Sequence, residues 1–183
     1  MSTKNSTKRK NTLIILTIST WLIVVFTGFW YFSARHLASF NDYWVSFKGD
    51  ELQSRANNGQ ISLFHLVDKR CPCTRFSLPH IEKLKSTFTH IEHKVLIHGE
   101  TDKDASELSE AIRRMAPASP AVLIFSSQGT LAYFGPYNQG AICGQGEDIV
   151  ASIVDSLERG DNPHWINQEA IGCMCQWQAL QSS

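Results

Sequence analysis

The chain has 183 residues, with 17 Lys+Arg against 17 Asp+Glu and so no formal net charge. That length suits one ordinary domain with something added at the N-terminus. The basic residues cluster only in the first ten positions, so the charge pattern gives no support to a nucleic-acid partner.

Lys4, Lys8, Arg9 and Lys10 precede an uncharged run over residues 12–32, TLIILTISTWLIVVFTGFWYF. About 20 apolar residues cross the hydrocarbon core of a bilayer, so the run is long enough. Trp21 sits within it, and Trp30 and Tyr31 close it, where amphipathic rings favour the membrane interface. A cleaved signal peptide is the competing reading, but the run exceeds the ~7–15 apolar residues of such a segment and no small-residue cleavage site follows. The expectation is an uncleaved signal anchor, with residues 1–11 as a cytoplasmic tail. Only Arg35 follows the span closely, so the positive-inside rule places the N-terminus in the cytoplasm and the remainder outside. In a bacterium this is a single-pass inner-membrane protein with a periplasmic C-terminal domain, in a compartment where disulfides persist. Cys71, Cys73, Cys143, Cys173 and Cys175 would all meet oxidising chemistry there, and the odd total leaves at least one unpaired within a monomer.

Residues 33–60 read as a juxtamembrane connector. In it DYWVSFKG is a short strand or an interfacial aromatic patch, DELQSRA a short helix and Asn58-Gly59 a turn. A regular pattern then runs over residues 61–160. ISLFHLV, 61–67, predicts a strand interior to a sheet, and residues 75–88 predict a helix with Phe76, Ile81, Leu84 and Phe88 at helical spacing and a kink at Pro79. Residues 93–99 predict a second strand, and residues 104–116 a helix capped by Asp102 or Asp104 and stopped before Pro117. Residues 121–127 and 130–135, joined at Gln128-Gly129, predict a β-hairpin. Residues 146–160 predict an amphipathic helix with Ile149, Ile153, Val154 and Leu157 on one face and Gly160 as its stop. Alternation of this kind argues for a mixed α/β sheet covered by helices on both faces. Residues 161–183 form a tail with two further cysteines. No phosphate-binding glycine loop, paired catalytic carboxylates or nucleophilic serine motif stands out.

The chemistry concentrates at Cys71-Pro72-Cys73, where the first core strand passes into the first helix. Residues two apart on a helix point about 200° apart, so both thiols cannot lie on the helix and meet. Pro72 relieves this: proline favours the first helical position and pushes the residue before it into extended backbone. Cys71 is then expected as N-cap and Cys73 in the first turn, close enough for a strained disulfide. The helix N-terminus and the neighbouring Lys69 and Arg70 would favour a thiolate. Asp68 reads as an exposed partner of Lys69 or Arg70, with proton transfer as the sharper alternative.

The element order, the Cys-Pro turn and Ser119-Pro120 just before the third core strand together resemble the thioredoxin fold over residues 61–160. The spacing departs from the usual Cys-x-x-Cys of that superfamily. The chain is also similar to a bacterial membrane-anchored family filed as a domain of unknown function, which implies no activity. The thioredoxin resemblance implies a thiol–disulfide oxidoreductase acting on protein thiols or disulfides without an organic cofactor. It implies Cys71 as the attacking thiol and Cys73 as the resolving one. Pro120 would be a cis-proline beside them, with Pro72 and Ser119 shaping the groove for a substrate's extended backbone.

GCMC repeats the one-residue spacing at Cys173 and Cys175. This pair is a candidate second redox pair that folds back on Cys71 and Cys73. It could equally form a structural disulfide, with or without Cys143, that pins a loose end. Alternatively Cys71, Cys73, Cys173 and Cys175 form a thiolate metal site, for which copper(I) is a better match than zinc, with Met174, His98 or His164 as additions. A thioredoxin-fold copper chaperone and a non-catalytic binding module therefore stand as alternatives to the oxidoreductase.

Overall fold

A computed structural model describes residues 3–38, 40, 59–98, 100, 109, 110, 112, 113, 116–139, 146–168 and 170–176. The connector segments DYWVSFKG and DELQSRA, the caps expected at Asp102 or Asp104, and Cys143 lie outside them. The chain forms two compact units, Met1–Arg35 and His36–Ser183.

In the first unit, helix α1 (Thr3–His36) is 34 residues long. Within Arg9–Ala34 an 18-residue window reaches a mean hydropathy of 2.1, and none of that window is buried by protein. Leu16, Trp21, Ile23 and Phe26 are exposed on different sides of it. At about 1.5 Å per residue such a helix exceeds the ~30 Å hydrocarbon core, so by length and composition it is able to cross a membrane.

The second unit is built on a five-stranded sheet. Strand β1 is Leu37–Ala38, β2 Ser62–Val67, β3 Glu92–Ile97, β4 Ala118–Ser119, β5 Ala121–Phe125, β6 Leu131–Gly135, β7 Trp165–Ile166, β8 Ala170–Ile171 and β9 Cys175–Gln176. The sheet runs in the order β3-β2-β5-β6-β7. Strands β2 and β3 are parallel, and the helix α2 (Thr74–Thr87) connects them; β5 and β6 form the antiparallel hairpin. The helix α3 (Ile149–Glu158) follows the hairpin. Parallel strand–helix–strand, then hairpin, then helix, with β2 and β5 adjacent at the centre, is the thioredoxin-like arrangement that the resemblance implies.

Every residue of β2, β5 and β6 is buried, because apolar layers cover the sheet on both sides. One layer contains Ile81 and Leu84 of α2 with Ile149, Val150 and Ile153 of α3. The other contains Phe40, Ile112, Ala118, Ala170 and Met174. Ser109, Glu110, Ile112 and Arg113 are the helical residues described within the helix predicted over 104–116. The prediction for 146–160 starts three residues early: the Asp148 side chain accepts the Ala151 N–H at 3.1 Å and so fixes the first turn. Gly160, at φ 85°, ends the helix as expected.

Residues read from the sequence as a tail take part in this unit. Strand β7 lies parallel to β6, β8 pairs with β1, and β9 pairs with β4. Two-residue strands carry no periodic signal, so the pairings of β1, β8 and β9 could not be anticipated from pattern.

A polar network lies in the interior. His65 of β2 is fully buried, with Nδ1 2.9 Å from the Tyr137 hydroxyl and Nε2 3.0 Å from His93 Nδ1. His93 Nε2 is 3.2 Å from the Phe88 carbonyl. Every group is satisfied when Tyr137 O–H donates to His65, His65 donates to His93 and His93 donates to Phe88 O, with both rings neutral. Burial, reinforced by the neighbouring His93, lowers the His65 pKa to about 3.

Candidate functional site

After β2 the chain makes two consecutive turns. The Cys71 N–H donates to Asp68 O at 3.1 Å, and the Thr74 N–H to Cys71 O at 3.0 Å. Pro72 is the second residue of the latter turn, where its fixed φ is favoured. This corrects the expected capping: Cys73, at φ −69° and ψ −25°, is the N-cap of α2, and Cys71 sits two residues ahead of it. The Thr74 hydroxyl bonds to Asp68 O at 2.5 Å and ties the helix start to the strand end.

Asp68 is 1% exposed, not the exposed carboxylate expected. Its Oδ1 accepts the Arg70 N–H at 2.7 Å, its Oδ2 is 3.4 Å from Arg70 Nη2, and its own N–H donates to Ser119 Oγ at 2.8 Å. Lys69 pairs instead with Glu100 at 2.7 Å. Both cations expected to act on Cys71 therefore have carboxylate partners. Asp68 and Ser119 fasten the cysteine turn to the loop that holds Pro120, and the Ser119–Pro120 peptide is cis, as the resemblance implies.

Cys71 is bonded to Cys175, with Cα atoms 5.9 Å apart and a sequence separation of 104. A bond between Cys71 and Cys73 is thus not the one present; Cys73 is a free, buried thiol. Nor do Cys173 and Cys175 pair with each other, because Cys175 is taken by Cys71 and Cys173 is disulfide-bonded elsewhere. The tail does fold back on the motif, and its strand β9 aligns Cys175 with Ser119 and Gln176 with Ala118. The edge expected to receive a substrate's backbone is held by the chain's own C-terminal segment. Cys71 Sγ lies 3.4 Å from Ser119 O. It carries no hydrogen while bonded to Cys175, so this contact becomes a hydrogen bond only after reduction.

The sulfurs of Cys71, Cys73 and Cys175 all lie within 4.8 Å of one another. Cys173, His98 and His164 are not in this group, so the four-thiolate set is not assembled. Instead His98 lies 3.1 Å from Arg70 Nη2 and 3.7 Å from Asp68 Oδ2, and His164 Nδ1 lies 3.1 Å from Leu131 O. Met174 is buried in the core. Burial raises the Cys73 pKa, against the opposing charge of Arg75. An open cleft of about 320 Å³ adjoins the site, where Lys69, Arg70, Arg75, Pro72 and Leu78 surround Cys71. The residue that sequence reasoning missed is Cys175 as the partner of Cys71. Its only signal was the alternation in CMCQ, too short to place a strand.

Chemically, three sulfurs sharing one disulfide and one thiol can exchange bonds among themselves. A family described as "Domain of unknown function (DUF6436)" matches residues 43–177. No curated protein matches the chain. Among solved structures, the chain is similar to an uncharacterized conserved protein from Geobacillus kaustophilus, at 13% identity and a TM-score of 0.49, covering 68% of this chain and 80% of that one. A hypothetical protein from Sinorhizobium meliloti 1021 is similar at 13% identity and 0.48, covering 68% and 82%. Oxidized thioredoxin O2 from Arabidopsis thaliana is similar at 20% identity and 0.35, covering 60% and 84%.

Proposed function

With residues 43–177 matched, the chain belongs to the DUF6436 family, and we propose that it is a thiol–disulfide oxidoreductase whose reacting sulfur is Cys71. The observation that carries this reading is the sulfur triad: Cys71 is bonded to Cys175 while the free thiol of Cys73 stands within 4.8 Å of both. Exchange requires a thiolate to approach a disulfide sulfur, and this geometry provides thiol and disulfide together. Protein thiols or disulfides are the substrates in this reading, and the cysteines carry the electrons without an organic cofactor. Helix α1 serves as the signal anchor in a bacterial inner membrane. The four basic residues before the span keep the N-terminus cytoplasmic and the sulfur site periplasmic. The test is exchange with a small model disulfide by the full chain in detergent, after reduction with a dithiol. Cys71→Ser is expected to drop to the uncatalysed rate, and full activity in that variant would overturn the reading.

The same triad supports a second reading, a copper-binding protein. Reduced Cys71, Cys73 and Cys175 are a soft, three-sulfur donor set that suits copper(I), although Cys173 is spent in its own disulfide. Titration of the reduced chain with copper(I) against a competing chelator tests it. One tightly held ion per chain, lost in Cys175→Ser, is the expected result; no retention sinks it.

A further inference from the structure

The three sulfurs are unequally exposed. Cys71 is 3% exposed and Cys73 8%, whereas Cys175 is only partly buried. Cys71, whose sulfur has both other sulfurs within 4.8 Å, is the most enclosed residue, and Cys175 on the tail is the least. Strand β9, which holds Cys175, is attached to β4 through two residue pairs and ends in the exposed Gln176.

Resting on the exchange reading above, we propose that the oxidised chain is a disulfide-shuffling catalyst, in which Cys73 displaces Cys175 from Cys71 and Cys175 is the thiol that attacks disulfides of partner proteins. The internal step balances within the chain. Cys73 gives up its proton, its sulfur attacks Cys71 Sγ, the Cys71–Cys175 bond breaks, and Cys175 leaves with the electron pair and takes a proton. One disulfide and one thiol remain, so nothing is oxidised or reduced. Cys175 thiolate then attacks a partner's disulfide, forming a mixed disulfide and releasing one partner thiolate. That thiolate, or another of the same partner, attacks the mixed disulfide and frees Cys175. The partner ends with rearranged disulfides, and the chain regains its starting pairing when Cys175 attacks Cys71 Sγ, the Cys71–Cys73 bond breaks and Cys73 leaves as the thiol.

The count of sulfurs suits isomerisation, which needs a nucleophile in a chain that keeps its own disulfide. Two cysteines that share a disulfide hold no nucleophile, and two that are reduced hold no internal electrophile. Three with one disulfide always hold both. Backbone bonds to Asp68 and Phe76 fix Cys71 and Cys73, whereas two residue pairs hold the strand of Cys175 to β4. The partner is a protein with several disulfides and an accessible extended segment, since β9 shows that the β4 edge accepts one.

The experiment uses the full oxidised chain in detergent and a scrambled multi-disulfide protein as probe, with no added thiol or oxidant. Wild type is expected to restore the probe's native pairing, and Cys73→Ser and Cys175→Ser to fall to the blank rate. Independently of any variant, acid trapping, alkylation and peptide mapping of the wild-type chain should find label on Cys175 as well as Cys73. Label confined to Cys73, or undiminished shuffling by Cys73→Ser, overturns the relay. If that occurs while Cys71→Ser remains inactive on the model disulfide, the exchange reading stands and only the relay fails. If the reduced wild-type chain does not exchange with the model disulfide at all, both fail.

Discussion

The two Cys-x-Cys segments share a spacing and differ in everything that decides reactivity. In Cys71-Pro72-Cys73 the middle residue is exposed and both cysteines are buried. In Cys173-Met174-Cys175 the middle residue is 2% exposed in the core and the cysteines are partly exposed. The first is a turn closed onto a helix, where Pro72 faces outward and the thiols are carried inward. The second is extended chain, whose alternation sends Met174 into the core and leaves its two neighbours half-buried on the other face. A one-residue spacing therefore does not define a site: the local backbone decides which of the three side chains the core takes.

The largest expected effect breaks the bond that joins the two segments. A cross-link with a separation of 104 constrains the unfolded chain by about 4.7 kcal/mol in the chain-entropy account. Cys175→Ser should lower the denaturant midpoint accordingly, and Cys73→Ser, which removes no cross-link, should lower it much less. Equal losses would mean that the disulfide does not brace the fold.

Next comes the inversion of middle residues. Met174→Ala removes a side chain packed in the cluster of Phe40, Ala118, Phe134 and Ala170, and is expected to cost about 3 kcal/mol of unfolding free energy. Pro72→Ala, at an exposed turn position, should change it by less than about 1 kcal/mol. Chemical denaturation of both variants checks the contrast. A mild Met174→Ala would show that the tail is held by its disulfide alone.

The third effect sets the sheet interior against its sulfur-bearing edge. His65 has its folded pKa lowered to about 3 by burial, from an ordinary value near 6.5. Well above pH 6.5 neither folded nor unfolded His65 is charged, and the group leaves stability independent of pH. As pH falls below that, the unfolded state takes up a proton that the folded state refuses, and stability declines until the folded pKa is reached. At pH 5 the loss from His65 is about 2 kcal/mol relative to pH 7. His93, also lowered by burial, acts in the same direction. Unfolding midpoints at pH 7 and pH 5 measure it; a flat profile would mean that the network of His65, His93 and Tyr137 is hydrated.

What the sequence displayed and what it concealed follow the same division. Strands β2, β5 and β6 and helices α2 and α3 were legible because each contains enough residues for its apolar period to show. Cys71, Cys73 and the Ser119-Pro120 loop were legible through their order along the chain. The bond from Cys71 to Cys175 was not, because it is a tertiary fact spanning 104 positions, delivered by a strand of two residues. His65 shows the same limit. A histidine inside an apolar strand announces a buried polar group, but its partners, 28 and 72 residues away, are found only after folding.

The smallest effect concerns how the buried half of the first segment responds to charge. Burial of Cys73 disfavours its thiolate and raises its pKa, while the Arg75 guanidinium works in the opposite sense. Arg75 is solvent-exposed and lies over the Phe76 ring, 4.7 Å from its centroid. Its charge reaches Cys73 partly through water and is open to screening by salt. Arg75→Gln should therefore move the pH profile of Cys73 alkylation in the oxidised chain modestly upward, and raising ionic strength should move the wild-type profile the same way. Arg70→Gln removes a charge already bound by Asp68 and should move it less. If the two substitutions act equally, the thiol senses the general positive field of the cleft. If only Arg75 matters, the residue two places beyond the cap sets how readily the relay starts, because the thiolate of Cys73 is the species that begins it.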